Sequence, residues 1–138
     1  MRKKFMKKIY VIILITLVCL TYVNIVHINL KGEETDTFSP EISSINNDPD
    51  TVGYGFNITI TLSVTDNMSG VNLVMVNITF PDNSTGNFTM NNTGNSTYEY
   101  VFADTWIIGQ YNYTIWAIDN ANNTNISSQC SFNVSANA

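Results

Sequence analysis

Two hydrophobic patterns divide the chain. From Ile9 to Leu30 the sequence runs 22 positions without Asp, Glu, Lys or Arg. Beyond that run apolar and polar residues alternate instead. Phe56, Ile58, Ile60, Leu62 and Val64 are separated one by one by Asn57, Thr59, Thr61 and Ser63. Successive side chains of a strand point to opposite faces, so 56–65 predicts a strand with one apolar and one polar face. Such a stripe gains about 1.5–3 kcal/mol per large side chain only if a second layer buries it.

The alternation recurs down the chain. Pro40–Ile45 predicts a first strand, with proline at its start. Val74, Val76, Ile78 and Phe80 form a full stripe, Phe88 and Met90 a weak one, and Tyr98, Tyr100 and Phe102 another. Tyr111, Tyr113, Ile115 and Ala117 follow, with Trp116 and Ile118 adding a second apolar face; Ile126, Ser128, Cys130, Phe132 and Val134 close the chain. Turn chemistry separates these runs: 46–55 with Asp48-Pro49-Asp50 and two glycines, 66–70 (DNMSG), 81–86 (PDNSTG), the polar loop 91–96, a crossover over 103–110, and 119–125. About seven short strands, with no helical period after Leu30, predict a single antiparallel β-sandwich over 40–138, preceded by one N-terminal hydrophobic helix.

The flanks of the apolar run bear on compartment. Residues 1–8 form a basic cap containing Arg2, Lys3, Lys4, Lys7 and Lys8, and 31–39 a polar linker. Twenty-two apolar positions suffice to cross a bilayer, with the basic end held in the cytoplasm. An uncleaved signal anchor explains both the length and the poor cleavage motif, of which Cys19-Leu20-Thr21 is the best available. A cleaved signal peptide is the alternative. Either route exports the rest, to the outer face of the membrane or beyond it.

All six basic residues lie in the first 31 positions and all eleven acidic ones after them. Binding to nucleic acid requires cations that replace counterions on phosphate, so the sandwich is not a nucleic-acid partner. Partners of other kinds fit: the membrane through the N-terminal segment, and other cell-surface proteins or glycans. Cys19 and Cys130 sit in different parts of the chain, which predicts no internal disulfide and makes Cys130 a small buried hydrophobe.

Across 40–134 the pattern resembles extracellular immunoglobulin-like domains, of the fibronectin-III-like type found in archaeal and bacterial cell-surface proteins. The likeness is carried by SVTDNMSGV at 63–71, ITFPDNST at 78–85 and GQYNYTIWAIDNANN at 109–123. By that resemblance Tyr111 takes the tyrosine-corner position of strand F. Tyr113 then stands where antibody domains carry a cysteine, opposite Ile60 or a neighbour. The antibody disulfide and its tryptophan are missing, so the resemblance implies the architecture without an antibody-type function.

The densest motif is N-x-[ST] with no proline at x. It occurs at Asn57, Asn67, Asn77, Asn83, Asn87, Asn91, Asn95, Asn112, Asn122, Asn125 and Asn133. Asn57, Asn77, Asn112 and Asn133 fall on the polar parity of their strands; Asn67, Asn83, Asn91, Asn95, Asn122 and Asn125 fall in turns. Every acceptor is therefore expected to be exposed. A surface rich in Asn, Ser and Thr because it lacks Lys would give the same pattern unmodified.

Three further chemistries are considered. Glu41, Asp66, Asn67, Asp119 and Asn120 are expected at one end of the sandwich, where oxygen-only ligands suit Ca²⁺, although Asp and Asn are equally ordinary turn formers. Tyr54, Trp106 and Trp116 are aromatic candidates for stacking on sugars. Catalysis has almost nothing to use: the one histidine, His27, lies in the apolar run, no Ser or Cys has a His partner, and no two of the carboxylates are singled out as a pair for glycoside hydrolysis. The sequence thus points to a non-catalytic structural or adhesive module outside a prokaryotic cell, archaeal by the resemblance, with carbohydrate binding as the alternative.

Overall fold

The computed structural model describes residues 2–29 and 34–136, so the first part of the expected linker lies outside the described residues. The chain divides into two compact units, Met1–Thr35 and Asp36–Ala138.

The first unit is helix α1, Arg2–Asn29. Tyr10, Ile12, Ile13, Leu14, Ile15, Leu17, Val18, Leu20 and Tyr22 are all exposed along it. Its threonine hydroxyls are satisfied by its own backbone: Thr16 Oγ1 donates to the carbonyls of Ile12 and Ile13, and Thr21 Oγ1 to that of Val18. Among the described residues no helix is long and apolar enough to cross a membrane. The run that motivates an anchor, Ile9–Leu30, extends beyond those residues.

The second unit is an immunoglobulin-like β-sandwich. Its strands are β1 (Glu41–Asp48), β2 (Thr51–Gly53), β3 (Ile58–Thr65), β4 (Val71–Thr79), β5 (Thr85–Thr89), β6 (Asn91–Gly94), β7 (Thr97–Phe102), β8 (Gly109–Asp119), β9 (Thr124–Ile126) and β10 (Cys130–Ser135). One sheet has the order β1-β3-β7-β6; the other has β2-β10-β8-β4-β5, with β9 also on β8. The chain changes sheets between β1, which pairs with β3, and β2, which runs parallel to β10. Ser44, at φ 53°, sits in the register shift of β1 between Ser43 and Asn46, where one strand carries extra residues against its partner.

The core follows the predicted stripes. Ile58, Ile60, Leu62 and Val64 from β3 face Val74, Val76 and Ile78 from β4 and Tyr111, Tyr113, Ile115 and Ala117 from β8, all buried. Aromatic rings fill the end nearest the crossover: Tyr111 stacks on Phe132 with centroids 4.9 Å apart, and Phe102 meets both edge-on. The Tyr111 hydroxyl accepts from the Ile107 N–H at 3.3 Å and is 3.1 Å from the Ile107 carbonyl. This is the tyrosine corner that the resemblance implies. Tyr113, in the antibody cysteine's place, donates to Asn47 Oδ1 at 2.9 Å. Burial, foremost, pushes its phenol well above the ordinary value.

Some expectations fail at element ends. Phe56 is in phase with the β3 stripe yet 68% exposed. Pairing with β7 begins only at Ile58, and the Phe56 N–H is instead used in a turn onto the Gly53 carbonyl. Residues 91–94, expected in a loop, form β6 because the backbone there pairs with β7 even though every side chain is exposed. Ile126 is 64% exposed, since β9 is a separate short strand on β8 rather than the start of β10. Cys130 is half-buried rather than buried, and both cysteines are free thiols.

Candidate functional site

The chain enters the sandwich at an acidic end. Three loops meet there: the segment before β1, the β3–β4 turn and the β8–β9 turn. Asp66 Oδ2 accepts from the backbone N–H groups of Met68 (3.2 Å) and Gly70 (2.6 Å), closing the DNMSG turn, with Gly70 at φ 82°. Asp119 is fully buried; its Oδ1 accepts from the Ala121 and Asn123 N–H groups and its Oδ2 from Asn123 Nδ2, each at 2.8 Å. Asp36 joins them, accepting from the N–H groups of Phe38 (2.9 Å) and Ser69 (3.0 Å). The Ser69 side chain, foremost, and the Phe38 N–H hold its carboxyl below the ordinary carboxylate value. The Ser69 hydroxyl is nonetheless buried short of a well-aligned hydrogen bond.

Carboxylate oxygens of Asp36, Asp66 and Asp119 lie within 4.8 Å of one another. Oxygen ligands this close suit a hard cation. The N–H donors around them, however, already account for their convergence as loop closure. Of the residues expected here, Asp66 and Asp119 are brought together. Glu41 is exposed on the rim of a cleft of about 270 Å³ shared with Phe38, Asp66 and Asn67. Asn67 is exposed in the turn, and Asn120 Nδ2 donates to the carbonyls of Ser69 (2.8 Å) and Gly70 (3.0 Å), tying two loops together. Sequence reasoning passed over Asp36, which lies in the segment read as linker. The available signal was the short step from Asp36 to Phe38, an aspartate turning back on its own backbone before a strand.

The opposite end is aromatic. Tyr54 and Trp106 meet edge to face, centroids 5.3 Å apart and planes at 81°. Trp106 lies over Gly55, where an added Cβ would come within 2.6 Å of its ring and φ is +79°. The Thr105 hydroxyl, buried, fastens the two loops by donating to the Phe56 carbonyl at 2.7 Å. Tyr54, Phe56, Trp106 and Ile108 are all exposed. Trp116 does not join them. It stands on the outer face of the second sheet, in register with Met75 and Ile126.

The sequons distribute over both sheets and the turns. Asn57, Asn67, Asn83, Asn87, Asn91, Asn95, Asn122 and Asn133 are exposed. Asn77, Asn112 and Asn125 are only half-exposed, which departs from the expectation of uniform exposure. Parity places an Asn on the outer face of a sheet, yet neighbouring strands can still cover it there.

No family model matches the chain, and no curated protein matches it. Among solved structures it is similar to the Pseudomonas fluorescens alkylpurine DNA glycosylase AlkC bound to DNA containing an abasic site analog. That likeness has 9% identity and a TM-score of 0.49, over 70% of this chain and 30% of the other. The chain thus spans less than a third of the glycosylase's length. It is also similar to a bacterial immunoglobulin-like domain from the M. primoryensis ice-binding adhesin, at 13% identity and a TM-score of 0.39, over 70% of this chain and 96% of that one. Likenesses this distant supply no function.

Proposed function

We propose that the chain is a non-catalytic cell-surface module: an immunoglobulin-like sandwich tethered by its N-terminal apolar segment and N-glycosylated outside a prokaryotic, archaeal cell. Its role is structural or adhesive, docking other surface proteins or glycans. One observation carries this reading. The stretch 32–138, with every acidic residue of the chain and no Lys, Arg or His, carries eleven N-x-[ST] acceptors, eight of them exposed, behind a basic cap and a 22-residue apolar run. Such a surface draws its solubility from carboxylates, hydroxyls and amides, and an exported glycoprotein makes use of all three. The absence of any His or cationic side chain from 32–138 leaves Cys130 and the hydroxyls without a general base of the usual kind.

The test is the intact mass of protein extracted from native membranes, before and after chemical deglycosylation. A full-length mass with removable glycans is expected. A bare mass lacking the first twenty or so residues, recovered from the medium, would remove both tether and glycans from the reading.

A second reading, carbohydrate binding, is favoured by the exposed Tyr54–Trp106 pair, in which the Trp106 ring rests on Gly55. It predicts retention on a polysaccharide column that Trp106→Ala abolishes and Trp116→Ala leaves intact.

A further inference from the structure

The eleven acceptor motifs are equivalent in sequence and unequal in the fold. A folded protein offers a sequon only if two groups are free: the Asn Nδ2, which bonds to the sugar, and the hydroxyl two residues on, which completes the motif.

At Asn125 neither is free. Its Nδ2 donates to the Pro40 carbonyl at 2.9 Å and its Oδ1 accepts from the Ile126 N–H at 2.9 Å. The motif's hydroxyl, Ser127 Oγ, accepts from the Ile115 N–H at 2.9 Å and donates to the Ser128 carbonyl at 2.8 Å. This sequon is used up in fastening the β8–β9 segment to the start of β1.

Asn77 is committed differently. It lies on β4, directly opposite Asn87 on β5 and Thr114 on β8, and its Nδ2 donates to Asn87 Oδ1 at 2.7 Å. Side chains directly opposite on neighbouring strands have Cβ atoms about 4.5–5.5 Å apart. A sugar on Asn77 would have to displace neighbours on both sides at once.

Asn83 and Asn122 are the reverse case. Asn83 sits at φ 67° in the turn between β4 and β5, and it and Thr85, its motif hydroxyl, are exposed. Asn122 sits at φ 69° in the β8–β9 turn, and it and Thr124 are exposed. Neither amide nitrogen is engaged in a side-chain hydrogen bond of the kind that holds Asn77 and Asn125.

We infer that the fold, rather than the motif, decides occupancy: glycan is attached at Asn83 and Asn122 and excluded from Asn77 and Asn125. The inference rests on the glycoprotein reading above. The co-substrate is a sugar activated at its anomeric carbon as a phosphate or pyrophosphate ester, presented by a transferase. The Nδ2–C1 bond forms as the C1–O bond to the phosphate breaks; the phosphate leaves with the electron pair, and the displaced amide proton passes to a base of the transferase. One N–H remains on the modified nitrogen, and the sugar takes the position of the other.

The experiment is site-resolved glycopeptide mapping of the full-length protein from its native cells. Electron-transfer fragmentation is needed because it keeps the sugar on its residue, and Asn122, in the β8–β9 turn, is close in sequence to Asn125 on β9. Glycan on Asn83 and Asn122 with none on Asn77 or Asn125 is expected. Glycan on Asn125 or Asn77 at the level of Asn83 overturns the inference while leaving the glycoprotein reading in place, and means that modification precedes folding. Protein bare at every sequon overturns both.

Discussion

At the end where the chain enters the sandwich, Asp36, Asp66 and Asp119 are wrapped in N–H donors and Asp119 is fully buried. At the other end Tyr54, Phe56, Trp106 and Ile108 are exposed. The usual distribution of polar and apolar residues is inverted at both ends. The acidic end tolerates buried charge because each carboxylate has donors, which removes most of the cost of leaving water. The aromatic end exposes rings because its turn places them where the two sheets no longer cover them, and a tight Gly55 turn gives Trp106 a flat seat. Polarity alone therefore does not mark inside from outside here; hydrogen-bond supply and turn geometry do.

The largest expected effect breaks the acidic end. Asp119→Ala strips three donors of their acceptor. It should cost about 3 kcal/mol in a denaturant melt, because three part-buried N–H donors are left unpaired. A loss close to zero would mean that the loop is held by something other than the carboxylate. At the aromatic end Gly55→Ala should cost about 1–2 kcal/mol, since alanine pays for the positive φ and its Cβ meets the Trp106 ring. Trp106→Ala should cost less than about 1 kcal/mol, the ordinary range for a side chain that is mostly solvated. If it instead costs as much as Asp119→Ala, the rings are part of the core and the contrast between the ends fails.

Acid titration gives a smaller effect. The carboxyls of Asp36 and of Asp82, the latter held foremost by the Ser84 hydroxyl, have pKa values below the ordinary 3.8. The unfolded chain therefore binds these protons more readily. Their stabilisation is fully present above 3.8 and is lost as pH falls through the lowered folded values. The melting temperature should decline over that acidic window, and the Asp36→Asn, Asp82→Asn double variant should flatten the decline. The smallest effect concerns calcium. Excess chelator should leave the melting temperature unchanged, because N–H donors already bind each of the three carboxylates. A fall would show a cation bound to the folded state alone.

Strands were legible in the sequence wherever two opposite faces had opposite chemistry. Ile58 to Val64 and Tyr111 to Ala117 alternate so strictly that no other element accommodates them, and both are buried as expected. Phe56 shows the limit: it keeps the phase but lies before the first paired residue, and alternation does not report where pairing starts. Two of the three aspartates of the acidic cluster were equally legible, since Asp66 and Asp119 sit in recognisable turns. Asp36 was not, because what makes it part of that end is a hydrogen bond from Ser69, 33 residues away.

The sequence by itself determined what depends on local order: a basic cap and apolar run, an all-β domain with its strand phases, a tyrosine ready for the corner, and a surface of acids, hydroxyls and amides. Tertiary structure decided what depends on pairing. Only the register of β4 with β5 sets Asn77 against Asn87, and only the docking of β9 beside β1 locks Asn125 onto Pro40. The physical reason is range. Side-chain parity is fixed by each residue's immediate neighbours, whereas the neighbour across a sheet or loop is fixed by the whole chain's path.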